Sequence, residues 1–181
     1  MAALEPPYAE AVQAALDRIM PPGAPPLALF RTLAVNERVF LRMMAGGLLD
    51  RGTLTLRERE IVIDRTCWRC GAEYEWGVHA TWFGPKAKLS PAELAALCAG
   101  EPPPGVLGER DLLLVRLCDE LHATAHVSDA LWAELAAAWR PDQLVELIVL
   151  AGYYHAIAFV ANGLRVPLEP FAARFPADAA D

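Results

Sequence analysis

Three observations predict an all-α fold for this 181-residue chain. It carries 33 Ala and 26 Leu against 23 Val, Ile and Thr together. Ala and Leu lose little side-chain freedom in a helix, whereas β-branched residues lose more. Helix start and stop signals recur along the chain, and no run alternates apolar with polar residues as a half-buried strand does. Hydrophobic residues make up 55% and charged residues 22%, which supplies one substantial core and excludes disorder for the bulk of the chain.

The elements follow in order. Pro6-Pro7 precedes a predicted helix over residues 8–20, which Pro21-Pro22-Gly23 ends. A short helix is expected over 27–34, and another starts at Asn36, a good N-cap, running toward Leu49. Thr55-Leu56-Arg57-Glu58 has the capping-box pattern and opens a helix reaching about Cys70. Gly71 breaks it before a segment over 72–83, stopped by Gly84-Pro85. Ser90-Pro91-Ala92-Glu93 repeats the capping box with Pro at the first helical position. Helices are then predicted over 109–125, 128–139 and 141–162, the last closed by Asn162-Gly163. The whole, 1–181, reads as one domain: a motif region at about 27–100, C-terminal helices at 106–163, and a Pro-punctuated surface tail at 164–181. The Gly- and Pro-rich stretch at 100–105 is then a loop within that domain.

Charge narrows the partners. With 23 acidic and 16 basic residues the net charge is −7, and no Lys/Arg cluster offsets it, so nucleic acid is not expected as a partner. The N-terminus has no basic stretch followed by an apolar one, and a cytoplasmic setting is expected. In that setting the close pair Cys67 and Cys70 points to redox or metal chemistry more than to a stapled framework. Residues 144–161 approach the length of a membrane span but include Glu146 and His155, so they read as a buried helix and no membrane partner is expected. That segment is apolar nearly all round. Either it is the central helix of the bundle or it also meets another subunit.

The chemistry concentrates between Arg57 and Gly84. Cys67 and Cys70 lie one helical turn apart, near the Cα separation of about 4.4–6.8 Å that a disulfide accepts. A thiolate attacking a peroxide becomes a sulfenic acid, and a neighbouring thiol then displaces water to close the disulfide. Glu60, Asp64 and Cys67 share one helix stripe, and Glu75 and His79 share another on the next segment. If the chain folds back at Gly71, His79 and Glu60 converge on the thiols, with His79 as proton shuttle and a carboxylate setting its tautomer and charge. The helix C-terminus disfavours a thiolate there, while Arg65 and Arg69 favour one. Tyr74, Glu75, Trp76 and Asp64 are candidate pocket residues. Cys118, His122 and His126 have zinc-compatible helical spacing but lack a further ligand cluster, so neither a metal centre nor a cofactor is expected. No Gly-rich phosphate loop and no GxSxG elbow occurs.

The run Arg57-Glu58-Arg59-Glu60, then Cys67-x-x-Cys70, then Tyr74-Glu75-Trp76-x-x-His79 and Gly84 resembles the carboxymuconolactone decarboxylase and alkylhydroperoxidase D family. Trp132, the run from Asp142 to Glu146, Tyr153-Tyr154 and Asn162 are similar to its longer members. The resemblance implies a compact multi-helix bundle assembling as a trimer or hexamer. It also implies peroxide reduction by a CxxC pair, with a His one turn after the second Cys and an upstream Glu in a proton relay. Glu60 and His79 keep the family's spacing to each other. Glu75 stands where the family has its second Cys, and Cys67-x-x-Cys70 lies five residues toward the N-terminus of the family's pair.

The leading expectation is a hydroperoxide reductase in which Cys67 and Cys70 cycle between dithiol and disulfide. His79 and Glu60 move protons, and a reducing dithiol partner closes the cycle. A lactone decarboxylase using His79 and carboxylates is the alternative, and a non-enzymatic helical oligomer is the third reading.

Overall fold

A computed structural model describes residues 1–48 and 51–177. Among them there are helices and no strand. In chain order the helices are α1 (Glu10–Ile19), α2 (Ala28–Leu33), α3 (Glu37–Gly46), α4 (Leu56–Arg69), α5 (Glu73–Trp82), α6 (Pro91–Leu97), α7 (Glu109–Thr124), α8 (Asp129–Ala138) and α9 (Pro141–Gly163). Each corresponds to a predicted segment; most are drawn in slightly because the capping residues lie outside them, while α9 runs one residue past its expected end at Asn162. The expected run of α3 toward Leu49 stops at Gly46, and Leu49 itself lies outside the described residues.

The caps act as the sequence patterns require. Thr55 accepts a hydrogen bond from the Glu58 amide (3.2 Å), and Glu58 accepts one from the Thr55 amide (2.9 Å). Ser90 and Glu93 repeat the arrangement at α6, and Asn36 and Ser128 cap α3 and α8. Each such bond satisfies an amide with no intrahelical partner.

The helix enclosed on all sides is α4, which packs against α5, α6, α7 and α9. Its residues from Glu60 to Cys67 are all buried. A helix with this many polar residues can be central because some of them are satisfied internally. Arg65, fully buried, donates to both Asp119 carboxylate oxygens (2.8 and 2.7 Å) and to the Leu97 and Ala99 carbonyls. The more apolar α9 takes a flank instead. Leu144, Leu147, Leu150, Ala151, Tyr154, Ile157, Ala158 and Ala161 face the core, while Val145, Val149 and Phe159 remain 64%, 50% and 71% exposed. By length and composition α9 is the one helix among the described residues able to cross a membrane.

The link between α4 and α5 positions the site. Gly71 has φ +61°, its amide donates to the Trp68 carbonyl (2.9 Å), and the Ala72 amide donates to the Cys67 carbonyl (2.8 Å). These bonds form a Schellman stop, for which glycine is favoured because it has no Cβ to clash in the left-handed region. The chain then folds back so that α5 packs on α4. The tail crosses α5: the Phe175 amide reaches Glu73 (3.0 Å) and the Ala173 amide reaches the Gly77 carbonyl (3.3 Å). A Cβ on Gly77 would lie 2.2 Å from the Ala173 carbonyl oxygen, so this crossing requires glycine.

Candidate active site

The fold-back at Gly71 brings His79 to Glu60. The His79 Nδ1–H donates to Glu60 Oε2 at 2.8 Å, and both side chains are buried. On its other edge, Nε2 lies 3.1 Å from the Tyr154 hydroxyl of α9 and 3.5 Å from Glu75 Oε1, one turn earlier on α5. Phe83 stacks on the imidazole at 5.0 Å, and Tyr154 meets it edge-on at 5.2 Å. The ring is therefore held by packing as well as by its two nitrogens.

Burial opposes charge on His79, but Glu60, through its charge and its hydrogen bond, and then Glu75 outweigh it and push the imidazole up to about 10. At neutral pH it is an imidazolium and both N–H groups donate. With the Tyr154 oxygen accepting from Nε2–H, the phenolic proton is left to point elsewhere. Burial, then the negative charge of Glu75 and Glu60, holds that phenol well above its ordinary range, so it stays a proton donor. Asp64 lies on the Glu60 stripe, fully buried, with neither carboxyl oxygen hydrogen-bonded. Burial, and then Glu60, raise it well above the carboxylate range, which keeps it a neutral acid despite the opposing pull of His79.

Glu75, His79, Phe83 and Tyr154 open onto a cavity of about 670 Å³ between α1, α2, α3, α5 and α9. Leu27, Leu29, Phe30 and Met44 give it apolar walls, and Arg18 and Tyr153 add polar groups. Among the described residues Arg18 has no carboxylate within ion-pairing distance. The combination of a mostly apolar lining, a few convergent polar groups and a strongly shifted histidine is typical of a small-molecule site.

Neither thiol of the CxxC pair lines this cavity. Cys67 continues the Glu60–Asp64 stripe but is fully buried and does not line the cavity. Burial, and then the charge of Glu75, push it well above the ordinary thiol range. Cys70 is displaced from Cys67 by about 60° around the helix axis. It is partly buried, and its Sγ meets His122 Nδ1 of α7 at 3.7 Å. Burial raises this thiol too, partly offset by Arg69. Arg65, expected to favour a thiolate, is committed to Asp119 and to the carbonyls after α6. Among the described residues His79 hydrogen-bonds to Glu60 and Tyr154, and to neither thiol.

The expected pocket residues separate. Glu75 lines the cavity. Tyr74 instead ties the tail to α2, its hydroxyl accepting from the Leu29 amide (3.0 Å) and donating to Glu169 (2.8 Å). Trp76 packs on Phe175 of the tail at 5.2 Å. Asp64 stays beneath Glu60. Both Tyr74 and Trp76 face away because adjacent helix positions point about 100° apart, and Glu75 alone of the three shares a face with His79. Tyr154 and Arg18 are not among the site residues expected from the sequence. Tyr154 carries a sequence signal, a hydroxyl on the buried face of an otherwise apolar helix, whereas Arg18, on an ordinary amphipathic helix, carries none. Comparison of the chain with protein-family models, with curated proteins and with solved structures finds no match.

Proposed function

We propose that the protein is an acid–base enzyme of the lactone-decarboxylase type, acting on a small carboxylated ring compound. The observation that carries this reading is a cavity lined by Glu75, His79 and Tyr154 but by neither thiol of the CxxC pair. Arg18 at the cavity supplies a cation for the substrate carboxylate. Loss of CO2 breaks the carbon–carboxylate bond and leaves its electron pair on the ring, delocalised toward the lactone carbonyl. The Tyr154 O–H donates a proton to that charge and is replenished from His79 Nε2–H, 3.1 Å away. His79 ends neutral, is held in place by Glu60, and recovers its proton from solvent through the cavity. Glu75 Oε1, 3.5 Å from His79 Nε2 on the same wall, favours the protonated imidazole that supplies this proton.

The test uses γ-carboxymuconolactone as probe and CO2 release as readout. His79→Gln is expected to lower turnover about 10²- to 10⁴-fold, while the Cys67→Ser/Cys70→Ser double variant keeps the wild-type rate. Turnover that survives in His79→Gln but vanishes in the double variant overturns the proposal.

A second reading, hydroperoxide reduction, is favoured by the partly buried Cys70 thiol standing beside His122 with Cys67 one turn away. In it the Cys70 sulfur attacks the peroxide, releasing an alcohol and forming a sulfenic acid. Cys67 displaces water to give the disulfide, and a reducing dithiol restores both thiols. Treating the reduced protein with one equivalent of peroxide and counting free thiols distinguishes the two readings. The exposed apolar stripe of Val145, Val149 and Phe159 supports a homo-oligomer, trimer or hexamer, in either case.

A further inference from the structure

Three soft or borderline donors from three different helices converge at the C-terminal end of α4. Cys70 Sγ lies 3.7 Å from His122 Nδ1 of α7, and His122 Nδ1 lies 3.2 Å from His155 Nε2 of α9. All three atoms fall within 4.8 Å of one another. We propose that Cys70, His122 and His155 bind a zinc ion, with the fourth coordination position open to solvent.

Distances, chemistry and orientation argue for it. A tetrahedral zinc with bonds of about 2.3 Å to sulfur and 2.05 Å to nitrogen spaces its ligands at roughly 3.6 Å (S to N) and 3.3 Å (N to N). The observed 3.7 and 3.2 Å lie close to those edges. Without a cation the cluster is poorly satisfied, since one proton on His122 Nδ1 serves the contact to sulfur or the contact to His155 in a linear bond, not both. A cation at the centre turns every lone pair to use. Thiolate and imidazole together favour zinc over magnesium or calcium, which prefer oxygen.

The ligands are also held from behind. His155 Nδ1–H donates to the Ala151 carbonyl at 2.9 Å, which fixes the tautomer that leaves Nε2 free to ligate. Asn162 Nδ2 donates to the Cys70 carbonyl at 2.9 Å, tying the end of α4 to the helix that carries His155. The neighbouring cation Arg69 is ion-paired with Asp119 at 3.5 Å. The helical spacing of Cys118, His122 and His126 does not build this site. Cys118 turns inward to the Val62 carbonyl, and His126 bonds to the Thr124 carbonyl. His122, largely exposed, supports an open position where water completes the coordination.

The experiment is a titration of the reduced full chain, freed of metal by a chelator, with Co(II) and then Zn(II). One equivalent of Co(II) is expected to give the ligand-field bands of a four-coordinate site and a thiolate charge-transfer band, both abolished by one equivalent of Zn(II). Cys70→Ser removes the charge-transfer band, whereas Cys67→Ser keeps it. His122→Gln and His155→Gln each weaken zinc, measured against a chromophoric chelator, by about tenfold to a hundredfold or more. Absence of stoichiometric binding overturns the proposal, as does a charge-transfer band that persists in Cys70→Ser or disappears in Cys67→Ser. His122 lies at the surface, so His122→Gln retains the wild-type circular dichroism and keeps the test valid if Cys70→Ser folds poorly. None of these readouts depends on lactone turnover.

Discussion

Two pairs of near neighbours are divided between the two clusters. Cys67 on α4 and Cys70 at its C-cap are one turn apart, and Tyr154 and His155 are adjacent on α9. Cys67 and Tyr154 belong to the buried group around His79, where negative side chains and burial hold protons in place. Cys70 and His155 belong to a half-exposed group around His122, whose donors point at one another. A rotation of roughly 60–100° about a helix axis separates the members of each pair. The same residue type, cysteine, is a sealed thiol in one group and an accessible donor in the other. Sequence proximity therefore says little about shared chemistry, and what lies across the helix interface decides it.

The strongest way to break this division is to change one residue of an adjacent pair and measure both functions. Tyr154→Phe removes the hydroxyl at 3.1 Å from His79 Nε2 and keeps the ring. It is expected to lower kcat for the lactone probe about a hundredfold, the usual consequence of losing one preorganised donor, and to leave the Co(II) spectrum unchanged. His155→Gln should do the reverse. A variant that damages both readouts alike would show that the two clusters are one site.

Arg18 sharpens the cavity half of the comparison. It lines the cavity from α1, far in sequence from the residues that carry the chemistry. Arg18→Ala should raise KM about tenfold with little change in kcat, as expected for loss of a charge-assisted contact worth about 1.5 kcal/mol. A fall in kcat at constant KM would instead place Arg18 in the proton-transfer step.

How legible this was differs by level. The helices were readable because their caps are local: Thr55 with Glu58, Ser90 with Glu93, and Gly71 at the stop all act within six residues. The meeting of Glu60 and His79 was readable once Gly71 was taken as a fold-back, since the α4 and α5 stripes then face each other. The thiols' position was not. Cys70 meets His122 of α7, a partner 52 positions away that no local pattern around Gly71 reveals. The choice of central helix was equally hidden. Composition marks α9 as the most apolar helix, but burial of α4 rests on Arg65 finding Asp119, a contact across 54 positions. Likewise His122 appeared in the sequence beside Cys118 and His126 and found its partners on α4 and α9.

The smallest expected change is in the slope of stability against pH, and it tests the charge balance of the buried cluster alone. His79 and Asp64 both have folded values raised above their unfolded ones. For each, the folded state holds more protons than the unfolded state between the two values, so stability is greatest at the acid end of that interval and falls as pH rises. For His79 the fall runs from about 6.5 to about 10, and for Asp64 it begins near 4. While both are changing, each contributes at most about 1.4 kcal/mol per pH unit. Asp64→Asn should therefore flatten denaturant-measured stability from near pH 4 upward, and His79→Gln should flatten it only above about pH 6.5. Cys70→Ser, outside the cluster, should leave both segments of the profile as they are. An Asp64→Asn profile that parallels the wild type would mean that the carboxyl is ionised when buried, and the stripe from Glu60 to Cys67 would then carry one more negative charge than the protonated acid described above.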